Sequence, residues 1–295
     1  MKKQHSWLAM IPAFILIGGI IAYPIGYTVY VSFTNMNIFN WFTFRLIGFR
    51  NYLLVLSVLD GGFARAFLIT IVWTAINMVL QLVIAFLLAQ LLNHPWLKGR
   101  GLYKTLLLIP WAMPGYVSIL LWRTGMFNTQ FGLLNQVLST WGLSTFNWLA
   151  SEGLAFSMML IVNLWLALPF MIMIMDGALQ SIDEAYYEAM RLESESFFSR
   201  IRMITVPLIR PAIAPAVIIT MFTTFKQFDL FYLMILQPGA RSGAQLHTVI
   251  TYAYENAFIT NNYGYSAAIS VIIFILLIAS VLLFQVKNAE VSDGR

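Results

Sequence analysis

Six stretches of this chain run for about 20 residues or more with almost no charge, the length a helix needs to cross the hydrocarbon of a bilayer. They are Ser6–Phe33, Ala66–Leu92, Lys104–Trp122, Leu154–Met175, Pro207–Leu236 and Tyr265–Val286. In lipid every backbone N–H and C=O has to be paired internally, so each run is expected to be a helix. Composition points the same way. The chain is 60% hydrophobic and 10% charged, whereas a soluble domain carries about 25% charged residues. Too little polar surface remains to coat a water-soluble particle. The expected fold class is all-α, a polytopic membrane protein with six transmembrane helices. Segments between the runs are short, so one membrane domain is expected over residues 1–295, with an N-terminal span at 6–33 and a core at 66–286.

An even number of spans puts both termini on one side, and basic residues choose which. With the termini inside, the inner segments hold Lys2, Lys3, Lys98, Arg100, Lys104, Arg191, Arg200, Arg202, Arg210, Lys287 and Arg295. The outer ones hold Arg45, Arg50, Arg65 and Arg241, with Arg123 at an outer boundary and Lys226 within the fifth run. That bias predicts both termini in the cytoplasm of a prokaryotic cell, the chain lying in its inner or plasma membrane. The same bias accounts for the net charge of +5 without nucleic acid. The first run is too long for a signal-peptide core and no A-x-A pattern follows, so it is expected to be retained.

Several chemistries are excluded. There is no cysteine, hence no disulfide, thiol catalysis or Cys-based metal site. His5, His94 and His247 are far apart and without HExxH spacing, so no metal site is expected. No G-x-x-x-x-G-K-[ST] loop is present to cradle phosphates.

One segment breaks the apolar pattern. Ser181-Ile182-Asp183-Glu184 follows the fourth run. Serine followed three residues later by glutamate is a capping-box signature and predicts a helix starting near Ile182. Ala185, Ala189 and Leu192 share one face of it, with Tyr186 and Met190 alongside and Glu184, Glu188, Arg191 and Glu195 around them. Pro207, Pro211 and Pro215 recur every four residues. Each removes a backbone donor, so the start of the fifth span is expected to be bent or loosely bonded. Periodicity alone leaves two readings of the segment open: an amphipathic helix on the inner leaflet, or one gripped by another polypeptide.

Motif spacing separates them. Glu188-Ala189-Met190, then Ser194, Ile204 and Val206-Pro207 stand at the spacing of the EAA loop of ABC-transporter permeases fed by an external binding protein. Met190, Ser194 and Val206 replace the family's alanine, glycine and leucine. Lys98–Lys104, Ile109–Pro114, Asn163–Phe170 and Thr248–Tyr254 are similar to the carbohydrate branch, especially the first permease of maltose/maltodextrin-type and glycerol-3-phosphate-type importers. The resemblance implies a type I importer permease fold and no enzymatic activity in this chain. It implies a second homologous permease, two ATPase subunits that bind ATP and Mg, an extracytoplasmic solute-binding protein and a sugar substrate. Segment 181–206 becomes a coupling segment, with Glu188, Ala189, Met190, Ser194, Ile204 and Pro207 docking to an ATPase.

Polar and helix-loosening residues at mid-membrane depth mark the candidate substrate pathway. In the third run Pro110 and Pro114 flank Trp111, with Gly115 permitting close approach; Trp111 is read either as a stacking platform or as a lipid-facing residue. In the fourth, Asn163, Leu166, Ala167 and Phe170 surround Pro169, offering an amide for hydroxyls and an aromatic ring for stacking. In the fifth, the resemblance implies that Thr224 and Gln227 face the cavity, and Asp229 is a candidate for a sugar hydroxyl; Lys226 and Asp229, three apart, could instead neutralise each other on a helix. Asn77 and Gln81 are expected to make interhelical hydrogen bonds. The competing readings are an ion-coupled secondary transporter acting without an ATPase, which needs more buried ionisable groups than these, and a membrane enzyme, which needs clustered catalytic groups that are absent.

Overall fold

The computed structural model describes residues 6–57, 61–193, 196–237 and 244–293. These are helical or irregular, with one isolated β-bridge, Thr34 to Leu46, among the described residues. Among the described residues five helices are long and apolar enough to cross a membrane, and a sixth crossing is formed if a bent pair counts as one span.

In chain order the helices are α1 (Ser6–Ile17), α2 (Tyr23–Ser32), α3 (Arg50–Leu56), α4 (Gly62–Leu92), α5 (Arg100–Ala112), α6 (Gly115–Leu121) and α7 (Leu133–Thr140). They continue with α8 (Glu152–Gln180), α9 (Glu184–Glu193), α10 (Phe197–Arg200), α11 (Val206–Phe225), α12 (Asp229–Phe231), α13 (Val249–Phe258) and α14 (Tyr263–Asp293). The chain divides into two compact units, 1–67 with 249–295, and 68–248.

In the first unit α14 packs along α2 and against α13 and α3. The approach of α14 to the end of the first span is close. A side chain on Gly264 would meet the Thr34 carbonyl oxygen at 2.2 Å. Asn51 Nδ2 donates to the carbonyls of Ser32 (2.9 Å) and Thr34 (2.8 Å), which the ending α2 leaves without helical partners.

In the second unit α8 packs against α5 and α11. One core gathers around Trp73, whose ring meets Phe231 edge-on at 4.9 Å and Phe156 at 5.3 Å. A second holds Ala85, Ala89, Met171, Ile172, Met175 and Ile209. The two alanines let α4 approach closely.

The expected third and fifth spans differ from simple rods. Lys104–Trp122 is broken by a 90° bend between Ala112 and Gly115. Met113 precedes a proline and is extended (ψ 143°), because the ring of Pro114 disfavours the helical region for its predecessor. Pro110, by contrast, is carried inside α5. In the fifth run α11 keeps Pro211 and Pro215 without a break. The expected loosening appears just before Pro207, as a π-helical turn over Ile201–Thr205. A second interruption follows at Lys226–Phe228 before the short α12.

The capping prediction is corrected. Ser181 Oγ donates back to the Ala178 carbonyl (2.7 Å), and α9 begins at Glu184, not near Ile182. Its cap is Asp183, whose Oδ1 accepts from the Ala185 N–H at 3.0 Å.

Candidate functional site

The charged segment stands on a buried polar footing. Asp176, near the end of α8, has an 8% exposed side chain and lies 2.6 Å from Lys104 Nζ on α5. Its Oδ1 accepts from Asn93 Nδ2 (2.9 Å), just past α4, and its Oδ2 from Gln180 Nε2 (2.9 Å). A buried carboxylate is tolerable only when its oxygens are saturated in this way. Arg100 completes the arrangement, donating to the carbonyls of His94 (3.0 Å) and Leu97 (3.4 Å). Three helix ends are thereby tied at the root of the segment. Sequence reasoning missed this cluster. The available signal was a charge at the start of the third run and another at the end of the fourth, on the same predicted side.

On that footing α9 is pinned by one face. Tyr187 OH lies 3.2 Å from Thr205 Oγ1, in the π-helical turn, and Met190 is buried. Glu188, Ala185 and Ala189 are exposed. The face shared by Ala185 and Ala189 is therefore the open one, and Tyr187 with Met190 forms the inward stripe. Ile204 and Pro207 are half-buried, Pro207 lying in the first turn of α11 directly after the π-helical turn, where its missing N–H leaves a carbonyl of that turn without a helical donor. Ser194 lies outside the described residues. Between footing and segment is a cleft of about 620 Å³ lined by Asn93, Tyr187, Arg200 and Thr205 among others.

The candidate pathway residues gather at two helix breaks. Trp111 and Gly115 flank the first, Trp111 being 59% exposed. Thr224 precedes the second, Gln227 lies within it, and Asp229 opens α12. After each break the chain returns to the same neighbourhood, since α12 packs on both α6 and α8. Irregular backbone at membrane depth is tolerated where it is buried in protein or lines a water-filled cavity, and broken helices are where transporters build their binding sites. Lys226 and Asp229 are both exposed and form no ion pair; the interruption separates them.

On α8 the pathway candidates divide. Leu166, Ala167 and Phe170 are half-buried. Asn163 is 5% exposed, and its Nδ2 donates to Asn77 Oδ1 at 2.6 Å. Asn77 in turn donates to the Trp73 carbonyl at 2.8 Å. The interhelical bond expected of Asn77 is thus made to Asn163, while Gln81 is fully buried with neither amide atom partnered. A further link escaped the sequence: Arg123 Nη1 donates to the Leu233 carbonyl (2.7 Å) and Gln237 Oε1 (3.0 Å). It caps the last turn of the fifth span, where cations are favoured.

Together these features define a class: a helical membrane protein with broken spans around a polar centre and a charged inter-span helix on a saturated footing. Residues 81–290 match the family described as binding-protein-dependent transport system inner membrane component, and the chain belongs to that family. It is 33% identical over 238 residues to the trehalose/maltose transport system permease protein MalF of Thermococcus litoralis, covering 81% of this chain and 78% of that one. It is 29% identical over 287 residues to the galactooligosaccharides transport system permease protein GanP of Bacillus subtilis, covering 94% and 68%. A chain of a bacterial ABC transporter involved in the import of the acidic polysaccharide alginate superposes with a TM-score of 0.80, at 20% identity, covering 96% and 94%. That last likeness concerns the fold.

Proposed function

We propose that this chain is the membrane-spanning translocation subunit of an ATP-driven, binding-protein-dependent sugar importer, its substrate a maltodextrin, trehalose or a related oligosaccharide. The carrying observation is the coupling segment: α9 is fixed inward by Tyr187 and Met190 while Glu188 and Ala189 face away from the chain. An exposed charged helix that follows the tied end of α8 and is bonded to the entry of α11 through Tyr187 and Thr205 is suited to receive a push from another polypeptide and pass it on. Without a phosphate-cradling loop of its own, the chain takes that push from two ATPase subunits holding ATP and Mg. Within the docking segment of Glu188, Ala189, Met190, Ser194, Ile204 and Pro207, the exposed Glu188 and Ala189 make the contact, and the buried Met190 holds the helix from its inner side. A sister permease completes the pathway, an extracytoplasmic binding protein delivers the sugar, and both termini lie in the cytoplasm.

The pathway residues are Trp111, Gly115, Asn163, Leu166, Ala167, Phe170, Thr224, Gln227 and Asp229. Gln227 carries most of the recognition in this scheme. It sits half-buried at a break, and among the described residues its side-chain amide has no partner, so it is free to satisfy sugar hydroxyls. A glycerol-3-phosphate substrate is disfavoured, because Lys226 is the one cation among the residues at the two described breaks.

Purification and reconstitution test the reading. The chain is expected to extract with an ATPase and to support sugar uptake only when ATP and the binding protein are supplied. Uptake by this chain alone in liposomes, driven by an ion gradient, would replace the reading with a secondary transporter.

A further inference from the structure

The loop after the first span is built to expose aromatic side chains. The span Met10–Ser32 has 23 residues, about 34 Å of helix against a hydrocarbon core of about 30 Å. Ser32 therefore stands at a bilayer boundary. From Thr34 to Phe44 there is no charged residue, and Arg45 and Arg50 follow.

This loop is rigid by its own hydrogen bonds. Asn35 N–H donates to the Arg45 carbonyl (3.1 Å) and Ile47 N–H to Phe33 (2.8 Å). Asparagine side chains close the turns: Asn35 Oδ1 accepts from Arg45 N–H (2.7 Å), Asn40 Oδ1 from Asn37 N–H (2.7 Å), and Asn37 Oδ1 from Phe39 N–H (2.9 Å).

It is also tied sideways. Ile38 N–H donates to the Asn261 carbonyl (3.3 Å), and Gly264 N–H to Met36 (2.9 Å). The Trp41 ring meets Tyr263 edge-on at 5.1 Å. Tyr263 opens the apolar span Tyr263–Ser280. The loop tip is thus held level with the point where a second span enters the bilayer, and does not stand off into water. On this frame Phe39 and Phe42 are 97% and 94% exposed.

We propose that the loop Thr34–Arg45 is an interfacial membrane anchor. Phe39 and Phe42 enter the boundary between headgroups and acyl chains, Trp41 lies at headgroup level, and Arg45 faces lipid phosphate. Aromatic rings favour that layer, and a loop whose turns are closed by its own hydrogen bonds has fewer polar groups left to desolvate on entering it. A protein-docking role would leave the level of the tip, pinned to a span entrance at three points, without a reason. The anchor fixes the first and last spans against the bilayer plane, and it does not depend on what the chain transports.

Because the chain has no cysteine, Phe39→Cys and Phe42→Cys each provide a unique nitroxide attachment point. The full chain is placed in nanodiscs of phosphatidylcholine and phosphatidylglycerol. Collision of each label with oxygen, which partitions into lipid, is compared with collision with a water-soluble nickel chelate. Oxygen is expected to exceed nickel several-fold at both positions, and nickel to exceed oxygen at the control Ser139→Cys, an exposed polar position. Labels at 39 and 42 more accessible to nickel, or shielded from both reagents by a protein surface, would overturn the anchor.

Discussion

Lys104 Nζ lies 2.6 Å from Asp176 Oδ2, joining the third and fourth spans where the charged segment begins. The two partners are unequal: Asp176 is nearly buried, while the Lys104 side chain is 28% exposed. Removing the lysine strands a buried carboxylate; removing the carboxylate leaves an ammonium that can turn to water. Lys104→Met is therefore expected to cost roughly 3 kcal/mol, and Asp176→Asn distinctly less. Thermal unfolding of the detergent-solubilised protein gives both values. Equal losses would mean that the pair is effectively solvated.

The amide pair Asn77–Asn163 predicts a non-additive cycle. Asn77→Leu leaves the Asn163 amide buried without its partner and should cost about 1 kcal/mol. The double change to leucine removes both polar groups, so it should be more stable than either single variant. Additive losses on unfolding would contradict the pairing.

Close approach at Gly264 predicts a steric penalty. Gly264→Ala places a carbon 2.2 Å from the Thr34 oxygen, and backbone must shift, at about 1–3 kcal/mol. Gly177→Ala meets nothing within 4 Å and should be neutral or slightly stabilising, since alanine favours the helix. The difference between their unfolding temperatures is the readout.

Pro114 enforces the break in the third span by denying Met113 a helical conformation. Pro114→Ala lifts that restriction, and the broken span is expected to straighten. Sugar uptake by the reconstituted complex should fall at least tenfold, about 1.4 kcal/mol or more, with membrane insertion unchanged. Unaltered uptake would show that the break has no part in the pathway.

Local chemistry was readable from the chain; partnerships were not. The second and fourth spans emerge from apolar runs because α4 and α8 are set by length and composition. The loosened entry to α11 was likewise visible in Pro207, whose effect is local. The angle at Met113–Pro114 was hidden, since a proline announces a break but tertiary packing sets its size. Asp183 displaced Ser181 as the cap because Ser181 had a carbonyl of the preceding helix within reach. The Asp176 cluster and the Asn77–Asn163 bond join residues more than 80 positions apart in two of their contacts, which no periodicity encodes. The inward face of α9 was not legible for a related reason. Alanine fits either side of a helix, and the hydroxyl bond from Tyr187 to Thr205 decided which side turned inward.

The central claim is that the exposed side of α9 is gripped by an ATP-hydrolysing subunit. Its most direct test is a photoactivatable crosslinker introduced at Glu188 in membranes expressing the whole transport system. A single covalent adduct between this chain and a separate ATPase polypeptide is expected, lost when the crosslinker is moved to the inward-facing Met190. Adducts to lipid alone, with the ATPase present and active, would contradict it.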